Sequence, residues 1–226
     1  MKYFLIIVGV IAVVLFIGYQ YLNYKFLNAQ EASFKELATL KFDESDRAFP
    51  DSIRMKDKQF WSLIEESEAK HPNKFDAQMN YLTQRLSTLT NEEIIGFEAT
   101  LKEKMIELWD YNLKSLYQIV QDEYVSTDGF IYYRFWIISN GKDFFQRALA
   151  NPDLLADEIQ ATYDGQGLMV VADNAFKLKN GANTNLELPR DVTTAVHYDF
   201  GNYRMSGDYI SPSDFKDKFP KLVKKF

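Results

Sequence analysis

The chain has 226 residues, no cysteine and a formal net charge of −6, and 46% of its residues are hydrophobic and 15% aromatic. The absence of cysteine excludes disulfides, zinc–thiolate sites and thiol nucleophiles. The acidic balance argues against a nucleic-acid-binding surface, because such a surface needs clustered lysine and arginine.

The first predicted element is an apolar N-terminal helix. The run FLIIVGVIAVVLFIGY contains no charged residue, and with the three residues after it the helix covers residues 4–22 and roughly 28 Å, close to the hydrocarbon thickness of a bilayer. Tyr19, Tyr21 and Tyr24 are typical of the aromatic belt at a membrane interface. The sequence therefore predicts a single-pass anchor over residues 1–24, with the lipid bilayer as its partner. A cleaved signal peptide and a buried core helix are the alternatives, although no small-x-small cleavage site follows the run.

Lysines on both sides of this run specify its orientation only weakly. Lys2 precedes it, and Lys25 and Lys35 follow it. A short, positively charged N-terminus favours the inside. We therefore predict a cell-membrane protein whose larger part lies slightly more favourably outside the cytoplasm, with the side left open.

The rest of the chain divides into a stalk over residues 25–55 and a helical domain over residues 56–226. In the stalk, NAQEASFKELA continues as a helix, and FDESDRAFPDS with Pro50 ends it. In the domain, apolar residues recur at three- and four-residue spacing. The predicted helices begin near Asp57, Phe75, Thr90, Leu113, Ser126, Lys142, Gly167 and Asp214.

Local signals mark the ends of several of these helices. Asp57 is a candidate N-cap, and Thr90 with Glu93 forms a capping box. Gly141 and Gly181 are candidate helix stops. Ser126 to Gly141 is aromatic and β-branched enough for a strand, but its neighbours favour a buried helix. Residues 183–209 show no regular spacing of apolar residues and are predicted to be irregular, with a short hairpin as one possibility within them.

The predicted fold class is all-α: a compact multi-helix domain of about seven helices, preceded by a single transmembrane helix. Three segments of the domain together resemble the domain of unknown function 4240 family. They are FWSLIEES at residues 60–67, STDGFIYYRFWIISNGKDFFQRALANPDLLA at residues 126–156, and FPKLVKKF at residues 219–226. The resemblance covers about residues 57–226 and implies a mainly helical bacterial domain without an established activity.

One departure from the family pattern concerns cation binding. The family is typically written with two adjacent acids before the Gly-Phe pair, and here the first position is Thr127, so only Asp128 remains. A cation role of that acid pair is therefore not carried over to this chain, and we predict neither a metal nor a cofactor.

The candidate ligand- or partner-binding residues are Asp128, Tyr133, Arg134 and Trp136. Arg134 projects from an otherwise apolar segment, and its planar guanidinium suits bidentate recognition of an anion. The competing interpretation is structural: a buried arginine paired with a core acid, for which the candidates are Glu107, Asp110 and Glu123.

No catalytic motif accompanies these residues. The two histidines are His71, before a proline, and His197, near Asp199. No nucleophile elbow, HExxH helix or Walker loop is present. The leading hypothesis is a non-catalytic, membrane-tethered helical interaction module that binds a protein partner or a small ligand, and no nucleic acid. The alternative is a hydrolase or transferase of unrecognised type that uses a polar cleft around Asp128 and Arg134.

The C-terminal run KDKFPKLVKKF is locally basic. A solvated helix with its apolar residues packed inward explains it. A contact with anionic lipid headgroups is the alternative.

Overall fold

The computed structural model describes residues 2–39, 53–121, 125–160, 165–181 and 205–226; in the first helix it describes side chains from Ile11 to Ser33 and at Lys35. The chain forms two compact units, Met1–Leu40 and Lys41–Phe226.

The first unit is a single helix, α1 (Lys2–Thr39), which extends beyond the predicted anchor into the predicted stalk. Its large apolar side chains from Ile11 to Phe26 are each more than half exposed. In the described part of the chain, no helix has both the length and the apolar character that a membrane crossing requires. The structure therefore does not support the predicted transmembrane helix.

The second unit is built from helices, and the described residues contain no strand. The helices are α2 (Asp57–Lys70), α3 (Phe75–Ser87), α4 (Asn91–Glu107), α5 (Tyr111–Val120), α6 (Thr127–Ser139), α7 (Gly141–Ala150), α8 (Gln166–Met169), α9 (Val171–Asn180), α10 (Phe215–Lys218) and α11 (Pro220–Lys225). Two 3₁₀ turns, Pro152–Leu155 and Pro212–Asp214, complete the described elements. Seven of these helices have ten residues or more, so the all-α prediction is confirmed.

The helix-end signals are mostly confirmed. Thr90 and Glu93 form the reciprocal capping box of α4. Ser126 caps α6 by accepting from the Gly129 amide at 2.9 Å. The Asp57 prediction is wrong by one residue, because Lys56 is the N-cap of α2 and makes no side-chain cap bond.

Two other predicted helices are each divided in the structure. The helix expected near Gly167 becomes α8 and α9, and the terminal helix is interrupted before Pro220, whose ring cannot continue the preceding turn. Most of the predicted irregular segment, residues 183–209, lies outside the described residues. Its described end makes one isolated parallel bridge, from Ser206 to Asp110.

Helix α4, the longest helix described in this unit, contacts α2, α6 and α9. Gly96 lets the segment before α2 pass directly over α4, since a Cβ there would lie 2.9 Å from the Ile53 carbonyl oxygen. Met55 N donates to Gly96 O at 2.9 Å, and Thr100 Oγ1 donates to Met55 O at 2.9 Å. These bonds hold the segment before α2 against the middle of α4.

Candidate ligand-binding cleft

The structure places Arg134 in the core of the helical unit. Its side chain is 1% exposed, and Nη1 donates to the Met105 carbonyl at 3.0 Å. The guanidinium carbon lies 5.0 Å from the ring centres of both Trp109 and Phe130. This cation–π environment offsets part of the cost of burying the charge.

The other three predicted site residues lie in different environments. Tyr133 is fully buried and its ring stacks on Trp136 at 5.4 Å; burial raises the pKa of its hydroxyl far above the ordinary value. Trp136 is half-buried and meets the edge of Phe144. Asp128 is exposed in the first turn of α6. The structure thus joins Tyr133 to Trp136 but does not bring Asp128 and Arg134 to one open surface.

The acids proposed as structural partners of Arg134 have other described contacts. Glu107 pairs with Lys104, and Asp110 caps α5 by accepting from the Asn112 and Leu113 amides. Glu123 and His197 lie outside the described residues. His71 is half-exposed, with its ring 5.8 Å from that of Tyr81.

One concave region of the helical unit lies where the first turn of α2 meets the last turn of α4 and one face of α7. Two cavities there, of about 230 and 470 Å³, both have Asp57 and Lys104 in their walls. We call the pair the Lys104 cleft. Its other lining residues are Arg54, Met55, Lys56, Trp61, Thr100, Glu103, Glu107, Lys142, Phe145, Gln146, Leu149 and Ala150.

Lys104 is the central polar group of the cleft. Its side chain is 10% exposed, and Nζ lies 2.7 Å from Glu107 Oε1 and 3.3 Å from Asp57 Oδ2. Both carboxylates are far more exposed than the ammonium they hold, at 40% and 61%. The ammonium is therefore fixed at the base of the cleft by groups that themselves remain hydrated.

The protonation state of Lys104 limits its chemistry. Burial alone lowers the pKa of the ammonium, but the hydrogen bond to Glu107 and the charges of Glu107 and Asp57 outweigh burial, so the pKa is raised. Lys104 therefore stays protonated at neutral pH. A protonated amine is a hydrogen-bond donor and not a nucleophile.

An ammonium has three N–H donors, and two carboxylate acceptors are found for Lys104 among the described residues. The third donor remains for a ligand oxygen or a water. The floor of the larger cavity is aromatic, because Trp61 and Phe145 pack at 5.0 Å between ring centres. Lys142 and Gln146, both exposed on α7, form its rim.

Sequence reasoning missed this cleft because its residues come from distant parts of the chain. Asp57 and Lys104 are 47 positions apart. The signal within reach was the pair Lys104 and Glu107, at the i,i+3 spacing of helical neighbours. Such pairs are usually solvated, and nothing in the sequence shows that this one is buried.

A second buried ionisable group lies on the α9 side of α4. Glu98 is 5% exposed, and its Oε2 has no hydrogen-bond partner in the described part of the structure. Burial and then the charge of Asp173 raise the pKa of Glu98 to about 8, against a smaller opposing effect of Lys102. This carboxyl is therefore mainly protonated at neutral pH.

Among the described residues, no group of three or more histidine, aspartate and glutamate side chains has the geometry of a metal site. A family model described as a protein of unknown function, DUF4240, matches residues 55–178, more than half of the chain. The chain belongs to this family. No curated protein and no solved structure matches it.

Most residues of the Lys104 cleft lie within the DUF4240 match, from Met55 in the segment before α2 to Ala150 at the end of α7. Two of the three segments that carried the resemblance, residues 60–67 and 126–156, lie inside the match. The third, residues 219–226, lies beyond it. Helix α1 also lies outside the match.

Proposed function

We propose that this DUF4240 protein is a membrane-tethered helical binding module without a catalytic role, which receives a protein partner or a small ligand in the Lys104 cleft. The observation that carries the binding role is the Lys104 ammonium, which is nine-tenths buried, charged, and a wall of both cavities. A ligand oxygen bound by its third donor would be shielded from water on one side. The apolar part of the same ligand would lie on Trp61 and Phe145.

The chemistry of the cleft supports the non-catalytic role. Lys104 is a protonated donor, Asp57 and Glu107 are engaged with it, and Glu103 pairs with Arg54. Asp128 is exposed and Arg134 is 1% exposed, so they offer no joint cleft in this structure for the hydrolase alternative.

The tether is supported by the sequence and by the exposure of α1. The run of residues 4–22 carries no charge. The described large apolar side chains of α1, from Ile11 to Phe26, are each more than half exposed. A lipid environment would remove that apolar area from water.

The binding role is tested by filling the cleft without changing its charges. Gln146→Trp places a large ring at the rim of the larger cavity, and Lys179→Trp on α9 is the matched surface control. We expect the wild-type protein and the control to show concentration-dependent thermal stabilisation by members of a small-molecule and peptide library, and Gln146→Trp to lose it. Equal stabilisation of all three proteins would place binding elsewhere.

The tether is tested by alkaline carbonate extraction of membranes from cells that make the full chain. We expect the wild type to stay in the membrane pellet and Val14→Lys/Ile17→Lys to be released, because two charges in the apolar run make insertion unfavourable. Release of the wild type would reject the tether. If the wild type stays in the pellet, a phosphatase and a fluorescent protein, fused separately after Phe226, would report the side of the membrane on which the helical unit lies.

A further inference from the structure

The C-terminal helices carry a fixed array of lysines on their outer surface. Residues 215–226 contain five lysines and one aspartate, a net charge of +4, in a chain whose net charge is −6. Lys216, Lys218, Lys221 and Lys224 are exposed. None of these four has an ion pair with a described residue. We call Lys216, Lys218, Lys221, Lys224, Leu154 and Phe226 the C-terminal basic surface.

The inner side of this segment is firmly packed, so the lysines are held in place. Phe215, Phe219 and Leu222 are 6%, 3% and 0% exposed. Asp153 Oδ1 accepts from the Lys221 and Leu222 amides, each at 2.9 Å, and so satisfies the first turn of α11. The outward position of the lysines is therefore a property of the fold and not of a loose tail.

Lys225 closes the other end of α11. Its Nζ donates to the carbonyl oxygens of Ala156 and Ile159 at 2.8 and 2.6 Å. The ammonium also lies 5.3 Å from the centre of the Phe226 ring. Lys225 therefore docks the helix against the rest of the unit, and the other four lysines remain exposed to a partner.

Two exposed apolar side chains belong to the same elements as the lysines or to the turn that docks them. Leu154 is 55% exposed in the Pro152–Leu155 turn, whose Asp153 holds α11, and Phe226 is 43% exposed beside Lys225. Exposed lysines combined with exposed apolar side chains suit the anionic headgroups and the acyl boundary of a lipid surface. An acidic protein would use the lysines but would not need the two apolar side chains.

We infer that the C-terminal basic surface binds anionic lipid headgroups. This inference rests on the proposed membrane location, because a tether keeps the helical unit at a high effective concentration near lipid. The four lysines and Phe226 lie outside the matched residues 55–178, whereas Leu154 lies inside them, so the basic part of the surface would be a feature of this chain added to the DUF4240 region.

The test measures the reactivity of individual lysines with a membrane-impermeant acylating reagent. The full chain is reconstituted into vesicles of phosphatidylcholine alone, or of phosphatidylcholine mixed with phosphatidylglycerol. In the mixed vesicles we expect labelling of the four C-terminal lysines to fall at least about threefold and to recover at high salt. Lys177 and Lys179, exposed on α9, are internal controls whose labelling should not change.

Matched variants distinguish a contact of lipid with the C-terminal lysines from an effect of the total charge of the protein. Lys218→Gln/Lys221→Gln/Lys224→Gln should abolish the protection of Lys216, whereas Lys177→Gln/Lys179→Gln should leave it intact. Equal labelling of the C-terminal lysines in both kinds of vesicle would overturn the inference. So would protection by soluble polyglutamate that matches protection by the mixed vesicles, since that result indicates an acidic protein partner.

The tether and the lipid surface fail in distinguishable ways. If the chain does not float with phosphatidylcholine vesicles, the tether is rejected. The labelling of the four lysines with added phosphatidylglycerol-containing vesicles then still shows, by the same criteria, whether the C-terminal basic surface binds anionic lipid.

Discussion

Two buried ionisable groups on α4, only six residues apart, differ in whether they keep their charge at neutral pH. Glu98 is 5% exposed, has no described partner for Oε2, and has a pKa raised to about 8. Lys104 is 8% exposed, holds two carboxylates and has its pKa raised, so it keeps its charge. Burial alone therefore does not decide whether a charge survives. The presence of an opposite charge within contact distance decides it.

The largest expected effect comes from Glu98→Gln. Below about pH 4.5 the carboxyl is protonated in the folded and the unfolded chain, and between about 4.5 and about 8 only the folded chain keeps the proton. The free energy of unfolding should therefore fall as pH rises through this interval, on the order of 3 kcal/mol after relaxation. The variant should lack this fall, and so be the more stable protein at pH 8.

Urea unfolding of the wild type and of Glu98→Gln across this pH range checks the prediction. Glu92→Gln, at an exposed acid in the first turn of the same helix, is the control and should keep the wild-type slope. Parallel curves for the wild type and Glu98→Gln would mean that Glu98 titrates normally in the folded protein.

Lys104→Met tests the other side of the comparison. The change removes two ion pairs, and it leaves the Asp57 and Glu107 carboxylates, which are 61% and 40% exposed, in contact with water. We expect a loss of about 1–2 kcal/mol in the free energy of unfolding at neutral pH. Lys142→Met, at an exposed lysine of the same cleft, should change stability by no more than a few tenths of a kcal/mol. A loss above about 4 kcal/mol would show that the two acids become buried when the lysine is removed.

Thr90→Ala sharpens the comparison by lowering stability at α4 without touching either buried group. Removing the hydroxyl that accepts from Glu93 N should cost about 1 kcal/mol. Because no group with a raised pKa is altered, the loss should be the same at every pH from about 5 to about 9. A pH-dependent loss would show that α4's N-terminus and Glu98 are coupled.

The smallest effect is expected from Asp173→Asn. The Asp173 charge contributes to the raised pKa of Glu98, although less than burial does. The variant should lower that pKa towards its ordinary value and change stability by less than about 1 kcal/mol. A carbon-13 NMR titration of the Glu98 carboxyl measures the shift directly, and an unchanged pKa would leave burial as the sole cause.

Much of the fold was predictable because it depends on local signals. The three- and four-residue periods predicted α2, α3 and α5, and the Thr90–Glu93 box predicted the start of α4. The division between α8 and α9 was not predictable from these signals. Nor was the start of α8, where Gly165 lies so close to α6 that a Cβ would overlap the Tyr132 carbonyl oxygen, a constraint that arises only once both helices are packed.

The candidate site was less predictable. Arg134 stands out in the sequence because a charge in an apolar run is unusual, but the partners that the structure describes for it include a carbonyl of α4 and two aromatic rings. Sequence spacing within α6 carries no information about groups on another helix. The sequence does not distinguish Lys104 from other helix lysines, since an i,i+3 pair on a helix has the same spacing whether it is solvated or buried.

The sequence by itself determined the all-α class, most helix limits and the DUF4240 family, because periodicity, caps and residue order are properties of neighbouring residues. Only the tertiary structure decided which charges lie inside. Glu98, Lys102 and Lys104 occupy one helix with similar local surroundings. Their exposure, their partners and their protonation depend on α2, α7 and α9, which meet α4 only when the chain is folded.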